Sequence, residues 1–340
     1  MTSSAPTIGN VRLDWIEWVR GLASVLVVAY HFLVPVWPGF AEAQAATVDI
    51  GRAGVVAFFL VSGFVVPLSY RRQPTDVFVV RRTARLYPVY WIVLAVTIVL
   101  SSDADWSSLK WWGEVILNMT MLQGLLSASI VGVAWTLTIE IIYYFQQIAF
   151  KSLKLLDSAW LFGYLWATAF LVAIALEHVL GRELPVTFPL LLAVACIGHV
   201  LSLAYGGIVS GRRAWTFSGT VFVALIIGGL CRANVDERWP ALLYVTSTIA
   251  GVALFGVAYL LRNRLKLRWA VWLGGISYAL YLVHDPALSI IKTAGAGWEW
   301  LAVGAAVIVS FAGAWLLHVL VEKPSIRWGR RYQARDRALR

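Results

Sequence analysis

Residues 12–37 read RLDWIEWVRGLASVLVVAYHFLVPVW, an apolar run with a charged entrance and one histidine set well inside it. From Trp18 to Trp37 the strongly polar groups are Arg20 and His31. A run of this length without further charge predicts a helix that crosses a membrane. Eleven steps at 3.6 residues per turn return almost to the starting angle. Arg20 and His31 are therefore expected on one face, roughly 16 Å apart along the axis. An ionisable residue at membrane depth is costly unless it meets a partner or a wet cavity, which makes His31 a functional candidate. The alternative is a histidine that hydrogen-bonds to a neighbouring helix.

Composition extends this reading to the whole chain. Of 340 residues, 60% are hydrophobic and only 14% are charged, against about half and a quarter in a soluble domain. The class is all-α integral membrane. Apolar runs place about ten spans near 18–37, 54–70, 84–101, 134–151, 160–177, 187–205, 214–231, 242–261, 272–292 and 300–320. The short apolar stretch 113–126 fits a re-entrant or interfacial helix. With the N-terminus inside, the inner segments hold 22 of the 28 Lys and Arg residues, so both termini are expected in the cytoplasm. That asymmetry explains the net charge of +10 through the lipid bilayer, and no nucleic-acid partner is expected. The entrance acids Asp14 and Glu17 argue for a retained first span, although AEAQAA at 41–46 offers small residues after it. Cys196 and Cys231 sit in apolar segments without metal-ligand spacing, so neither a disulfide nor a metal is expected. No repeat or linker divides the chain, and residues 1–340 are expected to form a single membrane domain.

Four further motifs carry chemistry. In FFLVSGFVVPLSYRR (58–72), Ser62 and Gly63 permit close helix approach in mid-span. In FVVRRTARLYPVYW (78–91), Arg82 and Arg85 stand three apart and share a helix face. Such a guanidinium pair can clamp phosphate oxygens, or it can anchor lipid headgroups. In WTLTIEIIYYF (135–145), Glu140 is a carboxylate inside a span, with Tyr143 and Tyr144 a turn further on; it must be paired, protonated or working. In GGISYALYLVHDP (274–286), Ser277, Tyr281 and His284 share a face, as interhelical glue or as part of a site. At the end, VEKPSIRWGRR (321–331) reads as a helix stop with a basic tail. Counting residues from the span ends puts His31, Glu140 and His284 roughly 9–12 Å below the outer surface. The arginines lie at the inner boundary. An anion-binding end inside and an acid/base end toward the outside suit a cytoplasmic phosphorylated donor.

In this order the motifs resemble acyltransferase family 3, the bacterial integral membrane acyltransferases that often O-acetylate surface polysaccharides. The matching positions are Arg20 and His31 in the first span, FFLVSGF, and Arg82 and Arg85 before Tyr87-Pro88. They continue with Trp135, Glu140 and Tyr144, the run from Ser277 through Tyr281 to His284, and the closing Glu322 and Pro324. The resemblance implies acyl-CoA, usually acetyl-CoA, as donor, with His31 catalytic and Arg82, Arg85 and Arg20 near the CoA phosphates. Glu140 would join His31 in acid/base work, with Trp135, Tyr144, Ser277, Tyr281 and His284 in support. The acceptor would be a hydroxyl of a saccharide or other surface molecule, and the setting the bacterial inner membrane. Relatives often carry a fused esterase-like domain; this chain ends soon after its last span, so none is expected. The competing class is a transporter or flippase for a lipid-linked saccharide, with His31, Glu140 and His284 as a proton relay.

Overall fold

A computed structural model describes residues 7–8, 11–101, 105–126, 129–232, 241–265 and 268–339. Arg238, Lys266 and the chain ends 1–6 and 340, which enter the expected topology, lie outside the described residues. Apart from a two-residue antiparallel pairing, β1 (Thr7–Ile8) with β2 (Val11–Arg12), the described secondary structure is helical. The helices run α1 (Asp14–Leu33), α2 (Pro38–Ala46), α3 (Ile50–Tyr70), α4 (Thr75–Leu100), α5 (Leu109–Met119) and α6 (Trp135–Ser152). They continue through α7 (Ala159–Leu180), α8 (Thr187–Tyr205), α9 (Gly211–Leu230), α10 (Ala241–Leu260), α11 (Arg268–Lys292), α12 (Glu299–Leu317) and α13 (Lys323–Leu339).

Among the described residues, eight helical segments are long and apolar enough to cross a membrane: α1, α3, α4, residues 156–180, α8, α9, α10 and residues 299–332. The two expected spans outside this set are α6 and α11. Their apolar content is diluted by Glu140, Gln146 and Gln147 in one and by His284 and Asp285 in the other. Boundaries moved in two informative places. Expected over 18–37, the first helix covers Asp14–Leu33, because Asp14 and Glu17 in its first turn suit the positive end of the helix dipole. Pro35 and Pro38 then break the run, and Pro38 opens α2 in the first-turn position that suits proline. The third span, expected from 84, begins at Thr75 after Pro74, so its arginines lie inside the helix. The apolar stretch expected at 113–126 is α5 followed by a single 3₁₀ turn at Gln123–Leu125.

The chain divides into two compact units, residues 1–71 with 143–274 and residues 72–142 with 275–340. In the first, α3 packs on α1, α8 and α10, and α7 on α8 and α9. Helix α8 is hydrophobic all round and buried from Leu190 to Leu203, as a central helix must be. It crosses α3 at the mid-span glycine read from the sequence. A Cβ on Gly63 would stand 1.9 Å from Ala195 O, and one on Gly198 would stand 2.2 Å from Leu60 O. Only hydrogen fits on either side. Trp15 of α1 fills the neighbouring core edge-on against Phe64, Phe255 and Tyr259, with ring centroids at 5.2, 5.5 and 5.6 Å. In the second unit α13 packs on α4, and α5 also touches α4.

The reciprocal glycine contact makes the first prediction. Overpacking costs about 1–3 kcal/mol where neighbours can shift, and here the neighbour is backbone. Gly63→Val should lower the thermal unfolding midpoint of the detergent-solubilised protein by several degrees or abolish folded protein, whereas Ser62→Ala should leave it nearly unchanged. Equal midpoints for Gly63→Val and wild type would refute the tight crossing.

Candidate functional site

The candidate residues distribute over both units: Arg20, His31 and Tyr144 belong to the first, and Arg82, Arg85, Trp135, Glu140, Ser277, Tyr281 and His284 to the second.

In the first unit, α1 carries Arg20 and His31. Arg20 reaches back one turn, its Nη1 lying 3.2 Å from both carboxylate oxygens of Glu17. Glu17 is 1% exposed, so the pair neutralises a carboxylate buried in an apolar helix. His31 falls in the last turn of α1, nearer the helix end than the sequence count placed it, because the helix stops at Leu33. Its Nδ1 lies 2.9 Å from Val27 O. A carbonyl oxygen only accepts, so Nδ1 carries hydrogen and Nε2 of the neutral ring carries the basic lone pair.

Asp49, not singled out in the sequence, stands within electrostatic reach of His31. Its side chain caps α3 by accepting from Arg52 N at 2.8 Å, and its own N–H donates to Ser247 Oγ at 2.9 Å. Burial pushes the Asp49 carboxyl above the ordinary carboxylate range, while the Arg52 backbone and guanidinium, and the charge of His31, pull it back. The signal was present as an aspartate directly before a helical run. Two guanidiniums lie over the Tyr244 ring, Arg52 at 4.2 Å and Arg232 at 5.2 Å from its centroid. Tyr144 is buried on α6, and its neighbour Tyr143 donates to Gly63 O at 3.4 Å.

In the second unit, Arg82 and Arg85 are half-buried and three apart within α4, sharing a face as expected. The Arg82 guanidinium lies over Phe78, 5.5 Å from its centroid, whereas Arg81 donates to Gln73 Oε1 at 2.9 Å. Glu140 and Trp135 sit on the first turns of α6, and α11 fastens the start of that helix. Tyr281 OH donates to Val133 O at 3.0 Å and lies 2.8 Å from Thr136 Oγ1. One turn on, Asp285 Oδ2 accepts from Gly132 N at 2.9 Å. The stripe read as glue or site thus contributes a clamp through Tyr281. Asp285 completes it, and its role depends on a loop backbone 153 residues away in sequence. Ser277 and His284 are fully buried, and His284 Nδ1 lies 3.3 Å from Leu280 O. No group of three or more His, Cys, Asp or Glu placed to hold a metal occurs among the described residues.

These elements define a multi-pass membrane protein whose polar residues gather on a few helices. Comparison with known proteins gives the class: the profile of a family described as "Acyltransferase domain" matches residues 13–319. The chain belongs to this family, acyltransferase family 3. It is 26% identical over 317 residues to exopolysaccharide production protein ExoZ of Rhizobium meliloti (strain 1021), covering 85% of this chain and 94% of that protein. It is 24% identical over 368 residues to acyltransferase MdmB of Streptomyces mycarofaciens, covering 93% and 92%. Nodulation protein 10 of Rhizobium leguminosarum bv. viciae is 25% identical over 319 residues, covering 81% and 82%. No solved structure matches.

The clamp on α6 gives the second prediction. Tyr281→Phe removes the hydroxyl that bridges α11 to Val133 O and Thr136 Oγ1, which keep their own hydrogen bond to each other at 3.0 Å, a loss of about 1 kcal/mol. The unfolding midpoint in detergent should fall, while Asp285→Asn, which keeps an acceptor for Gly132 N–H, should fall less. Tyr281→Phe with an unchanged midpoint would show that the hydroxyl does not hold the helix.

Proposed function

We propose that the chain transfers an acyl group, acetyl in the simplest case, from cytoplasmic acyl-CoA to a hydroxyl of a saccharide or other surface or secreted acceptor. The observation that carries this reading is the match of residues 13–319 to an acyltransferase family, on a chain whose first membrane helix carries an imidazole, His31, with its Nδ1 hydrogen-bonded to Val27 O. In this reading His31 Nε2 takes the proton from the acceptor hydroxyl as its oxygen attacks the thioester carbon. An attack by His31 itself, passing through an acyl-imidazole, needs the same lone pair. Glu140 supplies the second acid/base group.

Arg82 and Arg85 hold the CoA phosphates, and their spacing on one helix face supports a forked grip on a pyrophosphate; Arg20, the third guanidinium assigned to the donor, would have to serve it while paired with Glu17. Trp135, Tyr144, Ser277, Tyr281 and His284 shape and support the acceptor end. The topology that goes with this is ten spans, α6 and α11 included, both termini in the cytoplasm, and residence in a bacterial inner membrane. A sugar acceptor is favoured by the name of ExoZ, a protein of exopolysaccharide production, while MdmB is named only as an acyltransferase.

The test is acetyl-CoA binding followed calorimetrically with the detergent-solubilised protein. Charge-assisted hydrogen bonds contribute about 1.5–3 kcal/mol each. Arg82→Ala or Arg85→Ala should therefore weaken binding by roughly ten- to a hundred-fold, with lysine restoring only part because it cannot fork. The loss should shrink for an acyl-pantetheine, which lacks the CoA pyrophosphate. Unchanged affinity in both variants would return these arginines to lipid anchoring and remove the main support for a CoA donor.

A further inference from the structure

The last helix has no part in the proposed transfer. Helix α12 ends at Leu317, a π turn at His318–Glu322 follows, and α13 begins at Lys323 with Pro324 in its first turn, where a missing N–H is tolerated. From Lys323 to Tyr332 its charged residues are Lys323, Arg327, Arg330 and Arg331, with no acid among them. The three arginines are exposed. The helix lies antiparallel along the start of α4. A Cβ on Gly329 would stand 3.3 Å from Ala84 and 3.4 Å from Arg81, and Tyr332 OH donates to Asp76 Oδ2 at 3.4 Å.

Beside this crossing a groove of about 240 Å³ opens between α4 and α13, both in the second unit. Tyr87, Pro88 and Trp91 form one wall, and Ser325 and Trp328 the other. The polar atoms of these walls are turned to backbone: Tyr87 OH donates to Thr120 O, Trp91 Nε1 to Met119 O and Ser325 Oγ to Glu322 O, each at 3.0 Å. What remains toward the groove is hydrocarbon and ring surface, and Trp91 and Trp328 are 45% and 60% exposed. By helical periodicity the Tyr87–Trp91 face of α4 is opposite the face of Arg82 and Arg85. The groove is therefore distinct from the guanidinium pair assigned to CoA. Its own cations are on α13. Arg327 and Arg331 stand four apart, share a face and flank Trp328.

We propose that this groove seats one anionic phospholipid, with an acyl chain against Tyr87, Trp91 and Trp328 and the headgroup phosphate held by Arg327 and Arg331. Apolar walls whose polar atoms are already bonded suit a hydrocarbon chain, and exposed cations without an acid suit a phosphate. A phospholipid carries both in one molecule. Basic clusters on a helix at the membrane boundary attract anionic headgroups, and tryptophan and tyrosine favour that depth. The net negative headgroup matters because a zwitterionic lipid brings its own cation to the arginines. The inference holds whatever acyl donor the chain uses.

The experiment is native mass spectrometry of the full-length protein, released from detergent carrying equimolar phosphatidylglycerol and phosphatidylcholine. Wild type should retain one phosphatidylglycerol per chain, in preference to phosphatidylcholine. The double variant Arg327→Gln/Arg331→Gln should lose that preference, a fall of roughly twenty-fold for two surface cations. Trp328→Ala should weaken retention several-fold, and Arg264→Gln, which removes an exposed charge from the other unit, should match wild type. Circular dichroism checks that each variant keeps its helix content. Equal retention of the two lipids by wild type would mean annular lipid only and overturn the proposal, as would undiminished preference in the double variant. An equal loss in Arg264→Gln would assign the effect to diffuse surface charge. Displacement of the lipid by millimolar inorganic phosphate would show an anion site that does not use the groove, and would also overturn it.

Discussion

A charged side chain carried into a lipid bilayer must have its partner with it, because neither lipid tails nor bulk water will supply one. Three close pairs show how this structure meets the constraint. Glu17 and Arg20 lie 3.2 Å apart within one helix, Glu177 and Arg232 3.4 Å apart, and His318 and Glu322 2.7 Å apart within one turn. Each includes a carboxylate that is 1% exposed or less. Removing one partner from such a pair costs more than the pair contributes, since it strands the other charge. Where no charge is buried, the helices approach as closely as backbone allows, as α3 and α8 do at Gly63 and Gly198.

Much of this was legible in the sequence. The membrane class followed from apolar runs, and Ser62-Gly63 marked a close crossing that the structure contains. The faces of Arg82 and Arg85, and of Tyr281 and His284, followed from helical periodicity alone. What periodicity cannot supply is the residue standing opposite. Tyr281 is a clamp because Val133 and Thr136 face it, and Asp285 joins it because the Gly132 amide points at its carboxylate. His318 attracted no reading because one histidine near a helix stop is unremarkable until a π turn lays it on Glu322. Glu17 was different: its spacing to Arg20 could have named the pair, but the acids of that turn were read only against a signal peptide. Boundaries moved where proline decides them, at Pro35 and Pro38 after α1 and at Pro74 before α4.

The proposed transfer draws on distinct environments in the chain. His31 shows a basic Nε2 and has a buried carboxylate, Asp49, within electrostatic reach. The second unit carries paired guanidiniums on α4. In the proposed transfer His31 is the base, and Arg82 and Arg85 grip the anionic donor. Membership in acyltransferase family 3 and these residues thus point the same way.

The central claim is that acyl transfer depends on His31. The direct measurement uses proteoliposomes loaded with radiolabelled acetyl-CoA and surrounded by a saccharide acceptor, comparing wild type with His31→Ala inserted to the same level. The account predicts free CoA inside and labelled acceptor outside for wild type, in equal amounts, and neither for His31→Ala. Labelled acceptor formed by His31→Ala at the wild-type rate would contradict it.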